Sequence, residues 1–208
     1  MSCLDREAHW QNVYTTKGEK EVSWFQDRPS KSLEYIAASG KDHDSALIDV
    51  GGGTSHLVDE LLYAGYRNLT VLDLSEAALA ASQERIGSRS KEVKWIVADV
   101  TTWQPAEQYD LWHDRATFHF LTEEEDRNAY VSCLMSALRN GGQTIIGTFA
   151  LNGPERCSGL PVQRYDAASL SGVLGPRFRL LASDIEEHRT PKSASQAFQF
   201  SRFVFDRP

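Results

Sequence analysis

Three aspartates, each at the end of a short apolar run or directly after one, carry the clearest chemical signal in the sequence. Asp49 is the penultimate residue of ALIDV, which three glycines follow; Asp73 ends NLTVLD 24 positions later, and Asp99 follows VKWIVA. Carboxylates in such places can accept hydrogen bonds from ribose hydroxyls or from an exocyclic adenine amine. A glycine turn lets the backbone bend sharply and approach a ligand closely. The pattern therefore indicates a site for a nucleotide-like ligand.

These acids meet only if the strands that carry them end at one edge of a sheet. The apolar runs predict five strands, at 46–50, 68–73, 93–98, 109–113 and 143–149. Amphipathic helical segments lie between most of them, and strands that alternate with helices form a parallel sheet with helices on both faces. We therefore expect a doubly wound α/β fold whose ligands bind outside the carboxyl ends of the strands.

The helices between the strands carry their own boundary signals. A helix over 55–64 is closed by Gly65, which favours a helix C-terminus. Ser75 is placed to cap the next helix. Thr122–Glu125 reads as a capping box that opens a third helix, and Gly141–Gly142 is expected to end it.

The two ends of the chain differ from this alternating core. Two extended runs, 177–188 and 197–205, predict an antiparallel hairpin added to one edge of the sheet. The segment 1–44 reads as mainly helical. We expect one domain over 1–208, made of a cap segment at 1–44, a ligand-binding core at 45–150, and a substrate loop with the hairpin at 151–208.

Composition bounds the function classes that remain. Of 208 residues, 41% are hydrophobic and 25% charged, which is typical of a globular protein rather than a disordered, collagen-like or coiled-coil chain. The net charge of −7 disfavours a nucleic-acid partner, and no apolar run is long enough to span a membrane. The start lacks the pattern of a signal peptide. Three widely spaced cysteines predict neither a disulfide framework nor a metal site. We expect a cytoplasmic protein without a metal, as a monomer or homodimer.

The residues around the glycines separate this site from two common nucleotide sites. In the NAD pattern G-x-G-x-x-G the third glycine packs the helix against the strand, and His56 stands in that place. The sequence G-x-x-x-x-G-K-[ST] of a P-loop is absent. Hydride-transfer chemistry with NAD is therefore disfavoured.

Four motifs resemble those of the class I S-adenosylmethionine (SAM)-dependent methyltransferases: IDVGGGTS, VLDLS, VADV and YDLWHDRA. The resemblance covers about residues 45–150 well and the whole chain loosely. It implies a Rossmann-like, doubly wound sheet of seven strands, mostly parallel with an antiparallel last strand, together with an N-terminal helical segment. It also implies SAM as the cofactor and S-adenosylhomocysteine (SAH) as its product.

The resemblance assigns cofactor contacts to the residues that match its motifs. Asp49 would lie near the methionine amino group, Asp73 would bind the ribose hydroxyls, and Asp99 would recognise the adenine edge. The remaining contacts carried over by the motifs are Gly51, Gly53, Leu74, Val100 and His113. Asp73 and Asp99 also have purely structural interpretations, as a helix cap and a turn residue.

The aromatic N-terminus resembles one branch of the family, which includes lysine methyltransferase-like proteins and small bacterial relatives. Its pattern is Trp10-x-x-x-Tyr14, followed by Ser-Trp24-Phe25. A sulfonium is a cation, and aromatic faces stabilise cations by up to ~2 kcal/mol when desolvated. Alternatively, these rings pack the segment onto the sheet. Both interpretations stay open for Trp10 and Tyr14, and a lid over the cofactor is favoured for Trp24.

The residues after strand four are the candidates for the reaction itself. Methyl transfer needs an aligned nucleophile and, for some acceptors, removal of its proton. His119 could act as that base and Asp114 could orient the substrate, although both could instead be structural. In the lysine methyltransferase-like branch the stretch reads D-K-G-T, whereas here Arg115 replaces the lysine, so protein-lysine specificity is put in doubt. Candidate substrate contacts are Arg115, Phe118, Cys157, Arg164 and Tyr165.

Three functions remain open at this point. The leading hypothesis is a SAM-dependent methyltransferase that acts on a small molecule, because the chain has little beyond the core. The second is a protein-lysine N-methyltransferase. The third is a SAM-binding protein without catalytic activity.

Overall fold

Strands and helices alternate along the chain in a computed structural model that describes residues 3–207. The strands are β1 (Leu47–Val50), β2 (Leu69–Asp73), β3 (Val93–Val97), β4 (Tyr109–Arg115), β5 (Leu138–Phe149), β6 (Arg156–Cys157), β7 (Leu160–Pro161), β8 (Phe178–Arg189) and β9 (Ser195–Phe205). The helices are α1 (Cys3–Thr16), α2 (Ser30–Ala38), α3 (Leu57–Tyr63), α4 (Glu76–Ile86), α5 (Glu124–Ala137) and α6 (Ala167–Leu174). Short 3₁₀ turns lie at Glu19–Glu21, Gly87–Glu92 and Phe118–Phe120.

Seven of the strands form one sheet in the order β3-β2-β1-β4-β5-β9-β8. The first five strands in this order are parallel to one another, and β9 is antiparallel to both β5 and β8. The predicted seven-stranded, mostly parallel sheet with an antiparallel last strand is therefore confirmed. The tail hairpin joins the sheet through β9, so the last strand lies between β5 and β8.

The central strands are apolar because the sheet is covered on both faces. Every residue of β1 and of β2 is buried, which is typical of parallel strands between two layers of helices. One core contains Trp112 and Tyr130 on the α5 face, and the other contains Leu61 and Phe200 on the α3 face. This burial fixes the strand ends, and with them the site.

Helix α5 differs from its predicted boundaries at both ends. It begins at Glu124 with Glu123 at the N-cap, and the side chain of Glu123 makes no capping hydrogen bond, so the predicted box opened by Thr122 does not form. It ends at Ala137, because Leu138 already pairs with Tyr109 of β4. The expected stop at Gly141–Gly142 was wrong: both glycines lie inside β5.

Helix α4 begins as predicted and also anchors the N-terminal segment. The Ser75 hydroxyl accepts a hydrogen bond from the backbone N–H of Ala78 at 3.2 Å, which confirms the cap. The side-chain oxygen of Gln11 in α1 accepts from Ser75 Oγ at 2.9 Å and from Ala77 N at 3.2 Å. Helix α1 is thereby held against the start of α4.

No helix within residues 3–207 combines the length and the apolar character that a membrane crossing requires.

A buried polar network fixes the turn that follows β4. The carboxylate of Asp114 accepts hydrogen bonds from the backbone N–H groups of Thr117 and Phe118 and, at 2.7 Å, from the Tyr130 hydroxyl. That hydroxyl in turn accepts from Trp112 Nε1 at 2.9 Å. Burial raises the pKa of Asp114 to about 6. Asp114 thus uses its acceptor capacity within the fold.

We expect Tyr130→Phe to lower the free energy of unfolding by about 1–3 kcal/mol, because it leaves a buried carboxylate and a buried indole N–H each short of a partner. Urea denaturation measures this. Tyr63→Phe is the matched control, since Tyr63 is 89% exposed and its loss should change little. Equal stabilities for the two variants would contradict the structural role given to this network.

Candidate active site

The loop after β1 approaches its neighbours so closely that only glycine fits at two positions. Gly51 has φ +67°, and a Cβ there would lie 1.7 Å from Thr117 Oγ1. Gly53 has φ +50°, and a Cβ there would lie 2.5 Å from the Tyr14 hydroxyl. The loop is held to β2 by the Gly51 N–H, which donates to Leu72 O at 2.7 Å. The predicted glycine turn is therefore in close contact with α1 and with the turn after β4.

The two acids at the ends of β2 and β3 are buried beside this loop. Asp73 accepts from the Ser75 N–H at 2.8 Å, and burial raises the pKa of Asp73 to about 6. Asp99 accepts from the Thr101 N–H at 2.8 Å and forms an ion pair with Arg6 at 2.9 Å. Asp99 therefore makes the hydrogen bond of a turn residue, whereas the cap of α4 is Ser75 and not Asp73.

The third acid belongs to a buried relay of three side chains. Asp49 Oδ1 lies 2.7 Å from His113 Nδ1, and His113 Nε2 lies 2.9 Å from the hydroxyl of Ser32 in α2. All three side chains are buried. The relay fixes the orientation of the Asp49 carboxylate at the floor of the site.

Two neighbouring cavities open at these strand ends. The first touches Asp73, Leu74, Asp99 and Val100, which the motifs assigned to the nucleoside. The second touches Asp49, Ser32 and His113. Four residues line both cavities: Tyr14, Trp24, Gly51 and Arg115. Gly53 is not among the lining residues of either one, and it shapes the loop from behind.

Aromatic side chains of the N-terminal segment wall the first cavity. The ring of Trp10 lies 6.2 Å from that of Tyr14, 5.6 Å from that of Trp24 and 4.9 Å from that of Phe120. All four rings line the cavity. They therefore pack the segment onto the site and face the ligand space at once, so the two interpretations of Trp10 and Tyr14 are compatible.

The two residues expected to do the chemistry do not line either cavity. Asp114 is buried and used by the turn described above. His119 is buried among aromatic rings, with centroids at 4.5 Å for Phe120 and 4.7 Å for Phe149, and its Nδ1 accepts from the Phe149 N–H at 3.2 Å. Burial and the charge of Arg115 lower the pKa of His119 to about 3. This position does not support His119 as a base.

The five expected substrate contacts divide in the same way. Arg115 and Cys157 line the first cavity. Phe118 and Tyr165 are buried against each other at 5.4 Å between centroids, behind the cavity wall. Arg164 pairs with Glu155 at 3.0 Å in the loop after β5. These last three are held by packing and ion pairing, so they do not reach the ligand space.

Sequence reasoning missed Arg6, which lines the first cavity and bridges Asp99 and Asp126. A signal was present, because Arg6, Trp10 and Tyr14 recur every four residues and so share one face of α1. Phe120 was also missed. It lies in a 3₁₀ turn that directs Phe118 and His119 inward, and the triplet FHF alone does not reveal which ring faces out.

The known proteins that this chain resembles are methyltransferases. A methyltransferase-domain family model matches residues 47–142. Thiocyanate methyltransferase 1 of Arabidopsis thaliana is 27% identical over 89% of this chain and 79% of its own length. The eEF1A lysine and N-terminal methyltransferase of Danio rerio is 30% identical over 61% of this chain, a match that covers 19% of the relative. This chain thus spans only about a fifth of that relative.

Solved structures show the same fold at low sequence identity. The N-methyltransferase NodS from Bradyrhizobium japonicum, in complex with SAH, superposes with a TM-score of 0.70 at 15% identity, over 97% of this chain and 99% of that one. The 1,6-didemethyltoxoflavin-N1-methyltransferase of Burkholderia thailandensis gives 0.72 at 17% identity, over 100% and 92%. The strand order and the matched domain agree: this chain has the class I methyltransferase fold, and its residues 47–142 match a methyltransferase domain.

Proposed function

We propose that this protein transfers a methyl group from SAM to a small-molecule acceptor. The observation that carries the proposal is the pair of neighbouring cavities that joins the strand-end acids to Arg115 and Cys157. When bound, SAM supplies a methyl group already activated by a positively charged sulfur. The task of the protein is therefore to hold the donor, exclude water and align the acceptor.

The residues at the strand ends fit the donor. Asp73, buried beside Gly53, is placed to accept from ribose hydroxyls, and Leu74 and Val100 offer apolar surface to a base. Asp49, oriented by His113, is placed to accept from an ammonium group. The four aromatic rings exclude water and suit a cation. Arg6 closes the adenine end through its ion pair with Asp99.

The form of the site supports a small acceptor over a protein. Trp10, Tyr14 and Trp24 line the first cavity, so an acceptor has to fit beside the N-terminal segment. The similarity to a thiocyanate methyltransferase, over most of both chains, points the same way. We also propose a single domain over 1–208 and a cytoplasmic location, which the free thiols of Cys133 and Cys157 suit.

Protein-lysine methylation is the second candidate, because several relatives are named for it. Incubation with labelled SAM and a cell extract separates the two. Label in small molecules supports the first candidate, and label in protein bands supports the second. SAH binding without any labelled product would favour a non-catalytic SAM-binding protein.

Gly51→Ala should weaken SAH binding by at least roughly tenfold, because a Cβ at this positive φ overlaps Thr117 and forces the loop away. Isothermal titration calorimetry measures it. Gly172→Ala is the matched control, since its Cβ would meet nothing within 4 Å. A Gly51→Ala variant with unchanged affinity would show that the loop does not hold the donor.

The affinity for SAH should fall as the pH drops below about 6. The ionised carboxylate of Asp73 is the form that accepts from two hydroxyls, and its pKa is about 6. Its folded-state pKa is raised, so protonation begins near this value on acidification. At pH 5 about one molecule in ten keeps the charge, which predicts roughly tenfold weaker binding than at pH 7.5.

Asp73→Asn should flatten this pH dependence and weaken binding at pH 7.5 by about 1–3 kcal/mol. Asp59→Asn is the control, because Asp59 pairs with Arg85 at 2.7 Å and lines neither cavity. If the pH profile of Asp73→Asn matches that of the wild type, Asp73 is not the ribose ligand.

A further inference from the structure

We propose that Arg115 makes the acceptor site selective for a small anion, whose charged group binds the guanidinium beside the methyl group to be transferred. This inference rests on the proposed methyltransferase function and names the class of acceptor. It would place a carboxylate, a thiolate or a thiocyanate-like anion under the aromatic wall.

The first support is the unfilled hydrogen-bonding capacity of the guanidinium. Its Nη1 donates to Trp24 O at 3.2 Å, and its carbon lies 4.3 Å from the ring centroid of Phe198. Its Nε and Nη2 are shielded from solvent and make no hydrogen bond to any described residue. A buried cation with unpaired donors is costly unless a partner arrives. Nε and Nη2 together form the fork that binds an anion with two parallel bonds.

The second support is the place of Arg115 in the sheet. It ends β4 opposite Gly147 of β5, and Phe198 belongs to β9. The three acids of the donor site lie at or just beyond the carboxyl ends of β1, β2 and β3, on the other side of β4. Arg115 and Cys157 both line the first cavity, so this side chain borders the part of the site on the β5 side of the nucleoside acids.

The guanidinium of Arg115 keeps its positive charge at neutral pH although it is buried. Burial lowers the pKa of Arg115 to about 10, so the side chain is protonated at neutral pH. Beside it, burial and Arg115 itself lower the pKa of His119 to about 3, which keeps that ring neutral. The nearby negative charge of Glu186 raises the pKa of Arg115 and so opposes the larger effect of burial. Among the described residues, however, Arg115 forms no ion pair within 4 Å, and Glu186 Oε1 accepts instead from Gln26 at 3.2 Å.

The pKa values of Cys157 and Tyr14, which line the first cavity, also favour an acceptor that is already ionised. Burial raises the pKa of Cys157 to about 11 and that of Tyr14 well above its ordinary value, so neither is ready to take a proton at neutral pH. An acceptor that is already ionised needs no base. Its lone pair forms the new bond to the methyl carbon, the carbon–sulfur bond breaks, and the electron pair stays on sulfur, with no proton transfer.

The test is a calorimetric titration of the SAH-saturated protein with three probes: thiocyanate, benzoate, and benzamide as the uncharged match for benzoate. We expect the wild type to bind at least one anion roughly tenfold or more tightly than benzamide. Arg115→Met should remove that preference while SAH affinity stays within about threefold. Arg115→Lys should keep part of it, because it retains the charge and loses the fork.

Arg202→Met is the matched control. Arg202 also has a buried Nε without a partner, but it lies on β9, bonds Gln143 at 2.8 Å and lines neither cavity. Anion binding should survive this change. The comparison of anion with benzamide on the wild type needs no variant, so it stands even if Arg115→Met fails to fold.

Three outcomes overturn the proposal. One is a wild-type complex that prefers neither anion. Another is anion binding that survives in a folded Arg115→Met. The third uses a decarboxylated analogue of SAH: if wild type prefers SAH to it and Arg115→Met loses that preference, Arg115 binds the carboxylate of the donor. Failure of the methyltransferase function itself would show differently, as a wild-type protein that does not bind SAH.

Discussion

A single buried carboxylate holds the two loops that build the site. Asp114 accepts from the backbone N–H of Thr117 at 2.9 Å, and the Thr117 hydroxyl donates to Val50 O at 3.2 Å. Thr117 then fills the space where Gly51 lacks a side chain. The turn after β4 and the loop after β1 are thus positioned together, with the Tyr130 hydroxyl supporting Asp114 from α5. The loop after β1 and the turn after β4 thus share one support.

Helix α1 completes the donor side by polar contacts at both ends of the cleft. Arg6 bridges Asp99 and Asp126, and Gln11 bonds the start of α4. Between these contacts, Trp10 and Tyr14 face the cavity. The N-terminal segment therefore forms one wall of the first cavity, and under the proposed function exchange of a nucleoside ligand would involve either this wall or these ion pairs.

The sheet and the gathering of the three acids at its strand ends followed from the sequence because their signals are local. Apolar runs mark buried strands, and an acid or a glycine directly after such a run must lie at the strand end. Ser75 was recognised as a cap for the same reason. The start of α5 was not, since Thr122 has the residue type of a cap, yet the helix begins one residue later, with Glu123 at the N-cap position and no capping hydrogen bond. The end of α5 depends on the pairing of Leu138 with Tyr109, which no local pattern shows.

The chemistry after β4 was harder to predict because side-chain direction in a 3₁₀ turn depends on what packs behind it. His119 has the residue type of a base, yet Phe149 and Phe198 receive it as part of the core. Asp114 matches a motif position, yet its carboxylate is occupied by backbone N–H groups. Arg115, in contrast, read as a substrate contact and lines both cavities. The residue types suggested the possible roles of His119, Asp114 and Arg115. The structure distinguished them, because only Arg115 lines a cavity.

The pairing order of the sheet has a consequence for the growing chain. Phe198 lies against Arg115, but it belongs to β9, which inserts between β5 and β8 and is among the last parts of the fold to be translated. A nascent polypeptide that has reached only residue 190 already contains Asp49, Asp73 and Asp99, while the aromatic ring under the guanidinium is still missing. The surroundings of Arg115 can therefore be completed only after β9 has been synthesised.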